Sequence, residues 1–226
     1  MPLSIFDVAG PIMVGPSSSH TAGACKIGQI ARALFRGTPK KATFYLYGSF
    51  ATVYQGHATD KALLAGVMKM WTSDPNLKNS FEIAKKKGIE FHFIPITHHT
   101  EHHPNTVRII LEKGKHKLSV VGSSIGGGNV KITHINNVPL DLNMVAGRYF
   151  SIIIGHDNKP NALKPILKQF QSWHCPVAEV QTFAVGGAHA ISVMNIEGVS
   201  LKLPQVLELE KAEGIQFVRA LTKLPK

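Results

Sequence analysis

A turn-rich segment, NNVPLDLNMVAGR at residues 136–148, most constrains the fold, because a complete pattern of strands and helices lies on each side of it. We therefore predict two domains, at residues 1–140 and 148–226. The chain has 226 residues, of which 44% are hydrophobic, so it is long enough to bury a sizeable core. The predicted fold class is α+β, with a mixed α/β domain preceding a smaller domain.

The first domain begins with an amphipathic helix in KIGQIARALF, where Ile27, Ile30, Ala31, Leu34 and Phe35 share one face and Gly37 follows the end. A strand in KATFYLYGSF and helices in TDKALLAGVMKMW and FEIAKKKG come next. The segments IEFHFIPI, NTVRIILEKG and HKLSVVGSSIGGGNVKITHI then predict strands. Because strands and helices do not alternate regularly, we predict an α+β sheet rather than a doubly wound parallel one.

The second domain has a β-α-β-β-α-β pattern. A strand at 149–154 precedes a helix at about 159–173, and two strands are joined by a hairpin turn at Gly186-Gly187. A helix from Pro204 to Ala212 and a strand in IQFVRAL complete the order. This order is typical of the ferredoxin-like arrangement.

The segment PSSSHTAG at 16–23 leads into the first helix, which we expect to start between Ser19 and Ala22. A helix N-terminus exposes unpaired N–H groups and a partial positive charge, so it suits a carboxylate or phosphate. The alternative is that one serine caps the helix and the others are ordinary loop residues. The candidate ligand-binding residues here are Ser17, Ser18, Ser19, His20 and Thr21.

A second segment, GHATD, repeats this arrangement at another helix start. It carries His57, Thr59 and Asp60, of which Thr59 or Asp60 is the expected helix cap. We predict that the two histidine-bearing segments converge on one small polar ligand, where His20 and His57 hold a carboxylate or move protons near neutral pH.

Two further loops are candidates for the same site. The glycine-rich loop contains Gly126, Gly127, Gly128 and Asn129; three successive glycines suit close backbone approach to an anion, although a glycine-rich bulge is the alternative. The segment HPNT predicts a turn whose His103 and Asn105 face the ligand. A metal-binding hypothesis is also possible for this histidine-rich segment, which contains His98, His99, Glu101, His102 and His103. The flanking prolines disfavour it.

Other classes of function are weaker. No Gly-x-Ser-x-Gly elbow is present, and we expect the adjacent Ser19 and His20 side chains to point apart, which disfavours a serine hydrolase. The net charge of +11 is spread along the chain without interleaved aromatics, so we predict no nucleic-acid binding but an anionic ligand or acidic partner. No apolar run is long enough to span a membrane, and the N-terminus does not resemble a secretion signal. With two cysteines, we predict a cytoplasmic chain.

These segments together resemble the β chain of bacterial iron–sulfur-dependent L-serine dehydratase, also called L-serine ammonia-lyase. The matching elements are GPSSSHTAG at 15–23, GSFATVYQGHATDKAL at 48–63, HPNT at 103–106 and SIGGGNV at 124–130. The second domain resembles an ACT domain, a small module that commonly senses amino acids. Its ligand loop is expected at Asp157, Asn158, Pro160 and Asn161, with Asn161 at the position of the usual glycine.

The resemblance implies a lyase that converts L-serine to pyruvate and ammonia by β-elimination of water, with a [4Fe–4S] cluster as Lewis acid. Such a cluster takes at least three thiolates when one iron is left for substrate, and Cys25 and Cys175 cannot supply them. We therefore expect the cluster on a partner α chain, without which this chain is inactive. The histidine, hydroxyl and glycine residues named above are then expected to bind L-serine in the catalytic site, with Asp60 as a candidate for the ammonium group.

Two points stay open on the sequence alone. The pocket belongs either to the catalytic site, which we favour, or to a separate effector site of a purely regulatory amino-acid-sensing subunit. We also expect homodimerisation through this chain.

Overall fold

The computed structural model describes residues 12–98, 102–136, 138–139 and 150–221. The chain divides into two compact units; the described residues up to 139 belong to the first, and residues 150–221 belong to the second. Within the described residues, we find no helix with the length and apolar character that a membrane crossing requires.

The first unit contains four α-helices and six strands in its described part. A π-helical turn at Ser18–Gly23 continues directly into the first helix. The helices are α1 (Ala24–Phe35), α2 (Ser49–Val53), α3 (Thr59–Val67) and α4 (Ser80–Lys86), with a 3₁₀ turn at Pro75–Asn79 before α4. The strands are β1 (Lys41–Tyr47), β2 (Glu90–Ile96), β3 (Thr106–Lys113), β4 (His116–Gly126), β5 (Asn129–Ile135) and β6 (Val138–Pro139).

The six strands form one mixed sheet in the order β2-β1-β3-β4-β5-β6. Strands β1 and β2 are parallel, and the other neighbouring pairs are antiparallel. The parallel pair is joined by a long connection that contains α2, α3 and α4, as parallel pairing requires. The predicted mixed α/β character is confirmed.

Helix α1 lies at the centre of the first core. All five residues of its predicted apolar face are buried, with at most 4% exposure. Its opposite face packs against α3 through two glycines: a Cβ on Gly28 would lie 2.3 Å from Leu63 O, and one on Gly66 would lie 2.1 Å from Cys25 O. The close approach of these two backbones fixes the π-helical turn relative to the start of α3.

Two boundaries in the first unit differ from the prediction. Strand β1 ends at Tyr47 rather than Phe50, because Gly48 adopts φ 55° and ψ −126° and Ser49 begins α2. Helix α3 ends at Val67 rather than Trp71, since the chain reverses through Lys69 at φ 66°.

The second unit has the element order β-α-β-β-α-β. Its elements are β7 (Phe150–Asp157), α5 (Lys164–Ser172), β8 (Val177–Gly186), β9 (His189–Ile196), α6 (Leu203–Leu209) and β10 (Ile215–Leu221). The strands form an antiparallel sheet in the order β10-β7-β9-β8. Both helices contribute to its core, where Ile166 and Phe170 of α5 and Val206 of α6 pack with the strands.

Boundaries in this unit also differ, and strand β7 ends at Asp157 rather than at Ile154. Helix α5 starts at Lys164 rather than near Lys159, because the chain first turns through Asn161 in the left-handed region at φ 62°. The hairpin turn lies one residue later than predicted, since Gly186 pairs with His189 in the ladder. Helix α6 ends at Leu209 rather than Ala212.

Candidate functional site

The site begins at the π-helical turn. Helix α1 starts at Ala24, later than the predicted Ser19–Ala22, because the wider turn precedes it. The Ser17 carbonyl accepts from Thr21 N at 2.9 Å and from Ala22 N at 3.3 Å, the second being the i→i+5 bond of a π-helix. Such turns occur mostly as local bulges in helices, frequently at functional sites.

The turn brings together the hydroxyls of Ser17 and Ser19 and the imidazole of His20. Ser17 is the N-cap, and its Oγ accepts from His20 N at 3.1 Å. The Oγ atoms of Ser17 and Ser19 are 3.3 Å apart, and Ser19 Oγ lies 3.0 Å from His20 Nδ1. The expectation that Ser19 and His20 point apart is therefore wrong. Ser18, between Ser17 and Ser19, is half-buried.

The opposite ring nitrogen of His20 contacts a residue that was not among the predicted site residues. His20 Nε2 lies 2.9 Å from Ser49 Oγ at the start of α2. Gly48 sets this position, because a Cβ there would lie 2.7 Å from Pro104 Cα and O. The contact joins residues 29 positions apart, so local sequence patterns do not predict it. The glycine that ends the strand was the one local signal near Ser49.

The second histidine segment lies against the first. The ring centroids of His20 and His57 are 4.8 Å apart, and Thr21 Oγ1 donates to His57 O at 3.0 Å. His57 Nδ1 lies 3.4 Å from Val53 O. Burial lowers the pKa of His20 below its ordinary value, and the charge of His57 lowers it further. His20 is therefore neutral at neutral pH.

The prediction that Thr59 or Asp60 caps α3 is wrong. The N-cap is Ala58, in the left-handed region at φ 54°, and no side chain caps the helix. Asp60 Oδ1 instead accepts from Lys61 N at 2.7 Å, and Asp60 is 7% exposed. Burial raises the pKa of Asp60, while the hydrogen bond and charge of Lys61 oppose the rise.

Two buried hydroxyls lack a hydrogen-bond partner among the described residues. They belong to Thr59, at the start of α3, and Ser124, near the end of β4. Ser124 lies against the π-helical turn, since a Cβ on Gly23 would be 2.1 Å from its Oγ. Buried polar atoms almost always have hydrogen-bond partners, so these two hydroxyls are candidates for contact with a polar ligand.

The glycine-rich loop is the tight turn of the β4–β5 hairpin. Gly126, Gly127 and Gly128 have φ of 101°, 59° and 75°, and Gly126 pairs with Asn129 across a register shift. This register shift agrees with a glycine-rich bulge, which the sequence analysis gave as the alternative to an anion-binding loop. The loop directly follows the buried Ser124.

The HPNT segment supports the surrounding backbone. Pro104 O accepts from Phe50 N at 3.2 Å, and Asn105 O accepts from Ser124 N at 2.9 Å. His103 is exposed, and its Nδ1 accepts from Asn105 N at 3.2 Å, so its visible contact is within its own turn.

The histidine-rich segment is only partly described, because His99 and Glu101 lie outside the described residues. Across the ranges that the structure describes, no three His, Cys, Asp or Glu side chains group as metal ligands.

The predicted ligand loop of the second unit follows β7. Asp157 Oδ2 pairs with Lys159 Nζ at 3.1 Å, and Asn158 N donates to Ala188 O at 2.7 Å. Asn161 adopts the left-handed conformation at φ 62°, and Pro160 precedes it on the surface. The loop thus has the backbone turn that the usual glycine provides.

The chain was compared with known proteins. Residues 4–134 match the family described as serine dehydratase beta chain. The chain is 36% identical over 222 residues to the probable L-serine dehydratase beta chain of Bacillus subtilis (strain 168), covering 92% of this chain and 97% of that protein. It is 42% identical over 153 residues to the L-serine dehydratase beta chain of Peptoniphilus asaccharolyticus, covering 67% of each. It is 26% identical over 206 residues to the L-serine dehydratase of Helicobacter pylori (strain J99 / ATCC 700824), covering 88% of this chain and 34% of that protein.

All four segments that carried the resemblance fall between residues 15 and 130, within the matched residues 4–134. The family match covers more than half of the chain, and the Bacillus subtilis relative is matched over nearly its whole length. The chain belongs to the serine dehydratase beta chain family.

Proposed function

We propose that this chain is the β subunit of an L-serine dehydratase and contributes the substrate-binding part of its active site. The observation that carries the proposal is the pair of imidazoles, His20 and His57, whose centroids are 4.8 Å apart beside a hydroxyl-lined turn. The substrate is inferred from its relatives, which are L-serine dehydratase beta chains. The reaction is β-elimination of water from L-serine, followed by decay of the aminoacrylate to pyruvate and ammonia.

The π-helical turn is suited to the substrate carboxylate. Its Ser18 and Ser19 amides lie at the start of a helix, where N–H groups and the helix dipole favour an anion. The hydroxyls of Ser17 and Ser19 hold His20 at the same end, and Thr21 Oγ1 joins the turn to His57 O. The orphan hydroxyls of Thr59 and Ser124 support a polar ligand nearby.

Asp60 is suited to the substrate ammonium group. Its carboxylate is buried, and the charge partner expected of a buried carboxylate is a cation. Because this carboxylate does not cap α3, it is available to bind a cation.

The two histidines are suited to proton transfer. A neutral imidazole can accept a proton at neutral pH, and the lowered pKa of His20 keeps it in that form. We assign His20 and His57 to this part of the site without dividing the roles of acid and base between them.

The iron–sulfur cluster implied by the family does not fit this chain. Cys25 and Cys175 are both buried, and they belong to different units. Burial raises the pKa of the Cys25 thiol to about 12 and also raises that of Cys175, which disfavours the thiolate that iron requires. We therefore propose that the [4Fe–4S] cluster is held by an α chain.

The second unit is proposed to be an ACT domain. Its β-α-β-β-α-β order and the left-handed turn at Asn161 support this assignment. Amino-acid binding at Asp157–Asn161, homodimerisation through this chain and a cytoplasmic location remain predictions.

A serine hydrolase is the second reading of the contact between Ser19 and His20. In a hydrolytic triad the other imidazole nitrogen is held by a carboxylate, whereas here it contacts the hydroxyl of Ser49. The geometry therefore favours the dehydratase.

Anaerobic reconstitution tests the proposal. The partner α chain is loaded with iron and sulfide, and serine-dependent pyruvate formation is measured with and without this chain. We expect turnover only with both chains. Full activity of the loaded α chain alone would overturn the catalytic role, and activity that depends on this chain only for serine affinity would favour the purely regulatory alternative.

A further inference from the structure

We propose that Ser49 is a positioning residue that fixes the tautomer of His20 and ends a one-directional chain of hydrogen bonds, Ser17 to Ser19 to His20 to Ser49. Its part in ligand binding rests on the proposed function, whereas its effect on the imidazole does not. Ser49 was not among the predicted site residues, although it lies in the segment 48–63 that carries the family resemblance.

We assign the chain the direction from Ser17 to Ser49, which Ser19 and Ser49 define together at the two ring nitrogens. Ser17 Oγ accepts from His20 N at 3.1 Å, and its own hydrogen can reach Ser19 Oγ at 3.3 Å or His20 Nδ1 at 3.5 Å. In this direction Ser19 donates to His20 Nδ1 at 3.0 Å. A neutral imidazole has one donor nitrogen and one acceptor nitrogen, so Nε2 carries the hydrogen.

The second half of the chain follows from that tautomer. Nε2–H donates to Ser49 Oγ at 2.9 Å, which leaves the hydrogen of Ser49 for another acceptor. Among the described residues no further partner of this hydroxyl is found. We infer that a carboxylate or hydroxyl oxygen of the small amino-acid substrate takes this hydrogen bond.

Rigid neighbours hold Ser49 in place. Gly48 approaches Pro104 too closely for any side chain, and Phe50 N donates to Pro104 O. The Phe50 ring meets His20 edge-on, with centroids 5.4 Å apart. The imidazole is therefore held by packing on one side and by a hydroxyl at each nitrogen.

Nuclear magnetic resonance of the full chain tests the positioning role without any partner or substrate. The ¹⁵N shifts of the His20 ring, identified by their loss in His20→Gln, report which nitrogen carries the hydrogen. We expect one neutral tautomer, protonated at Nε2, in the native chain and in Ser49→Thr, which keeps the hydroxyl. We expect a mixture of tautomers in Ser49→Ala.

Thr52→Ala is the matched control, because Thr52 is an exposed hydroxyl residue of the same helix and bonds only to backbone within it. It should leave the His20 shifts unchanged. Thermal unfolding of each variant checks that the fold is retained. An Nδ1–H tautomer in the native chain, or no change in Ser49→Ala, would overturn the proposal.

Serine turnover by the complex with the α chain tests the ligand contact. We expect Ser49→Ala to lower kcat/KM by about ten- to a hundredfold, with recovery in Ser49→Thr. Altered shifts with unchanged kcat/KM would overturn the ligand contact. If the native complex does not turn over serine, the proposed function fails, and the ring shifts still decide the role of Ser49.

Discussion

His20 is held by hydroxyls on both ring nitrogens, and each contact arises differently. The Ser19 contact joins neighbours in sequence and depends on the π-helical turn, whereas the Ser49 contact spans 29 residues. The sequence predicted that His20 lies at a helix start, because hydroxyl residues precede an apolar stripe. It could not predict the turn, since rare helical geometries depend on packing rather than on local composition.

The lowered pKa of His20 predicts a pH dependence of stability. The unfolded chain binds a proton to this residue near the ordinary pKa of about 6.5, whereas the folded chain resists it. The contribution of His20 to stability is therefore full above about pH 6.5 and is lost as the pH falls through the lowered folded pKa. We expect His20→Gln to reduce this loss, as measured by urea unfolding at several pH values.

The exposed His98 provides the control for that measurement. His98→Gln should unfold like the native chain at each pH. An identical pH dependence in the native chain and His20→Gln would contradict the assigned environment of His20.

We expect Asp60→Asn to stabilise the fold but to weaken the binding of serine. Because burial raises its pKa, the ionised carboxylate destabilises the fold at neutral pH, so Asp60→Asn should raise the unfolding midpoint. The same change should raise KM for serine by roughly tenfold or more if the carboxylate binds the ammonium group. Asp74→Asn is the control, since Asp74 only caps the 3₁₀ turn. Equal affinity for serine in Asp60→Asn would remove this residue from the site.

At the scale of elements, the predicted strands and helices agree best with the structure where the apolar pattern is strongest. Helix α1 follows its five-residue stripe, and β10 coincides with IQFVRAL. The ends of β1 and α3 were misplaced because left-handed or unusual backbone at Gly48 and Lys69 stops them. The cap of α3 was misassigned because a hydroxyl or carboxylate at a helix start satisfies the sequence rule even when its side chain points elsewhere.

Because the π-helical turn packs against β4, we expect a methyl group added at Gly23 to destabilise the fold. Gly23→Ala would place Cβ 2.1 Å from Ser124 Oγ and 2.7 Å from Ser124 Cβ. We expect destabilisation by about 1–3 kcal/mol, measured by urea unfolding. The double variant with Ser124→Gly should recover part of the loss, because it removes both clashing atoms.

Gly56→Ala is the matched control, since the nearest atom to its Cβ would be Val53 O at 3.8 Å. It should have little effect on the unfolding free energy. Strictly additive losses in Gly23→Ala and Ser124→Gly would show that the turn and β4 do not pack as described.

We propose that the enzyme is divided between two chains. In the first unit, the rings of His20 and His57 lie together and Ser124 packs against the π-helical turn, and the second unit has the element order β-α-β-β-α-β. The proposal that another chain holds the cluster rests on the cysteine count, because two thiols cannot supply a cluster that needs at least three.

The division predicts that neither cysteine affects iron binding. The complex of the α chain with the Cys25→Ala and Cys175→Ala double variant should hold as much iron as the native complex, with the same visible absorption. Cys25→Ala removes a buried side chain, so some loss of stability is expected without loss of iron. A fall in iron per complex, with the variant chain still bound, would contradict the placement of the cluster.

Pyruvate formation by the two-chain complex at saturating serine decides whether His20 and His57 belong to the catalytic site, with His20→Gln and His57→Gln each compared with the native chain. Removal of a group that transfers protons lowers rates by roughly a hundredfold or more, so we predict such a fall in kcat for at least one variant. Native kcat in both variants, with a change only in the serine concentration required, would contradict the claim that these imidazoles belong to the catalytic site.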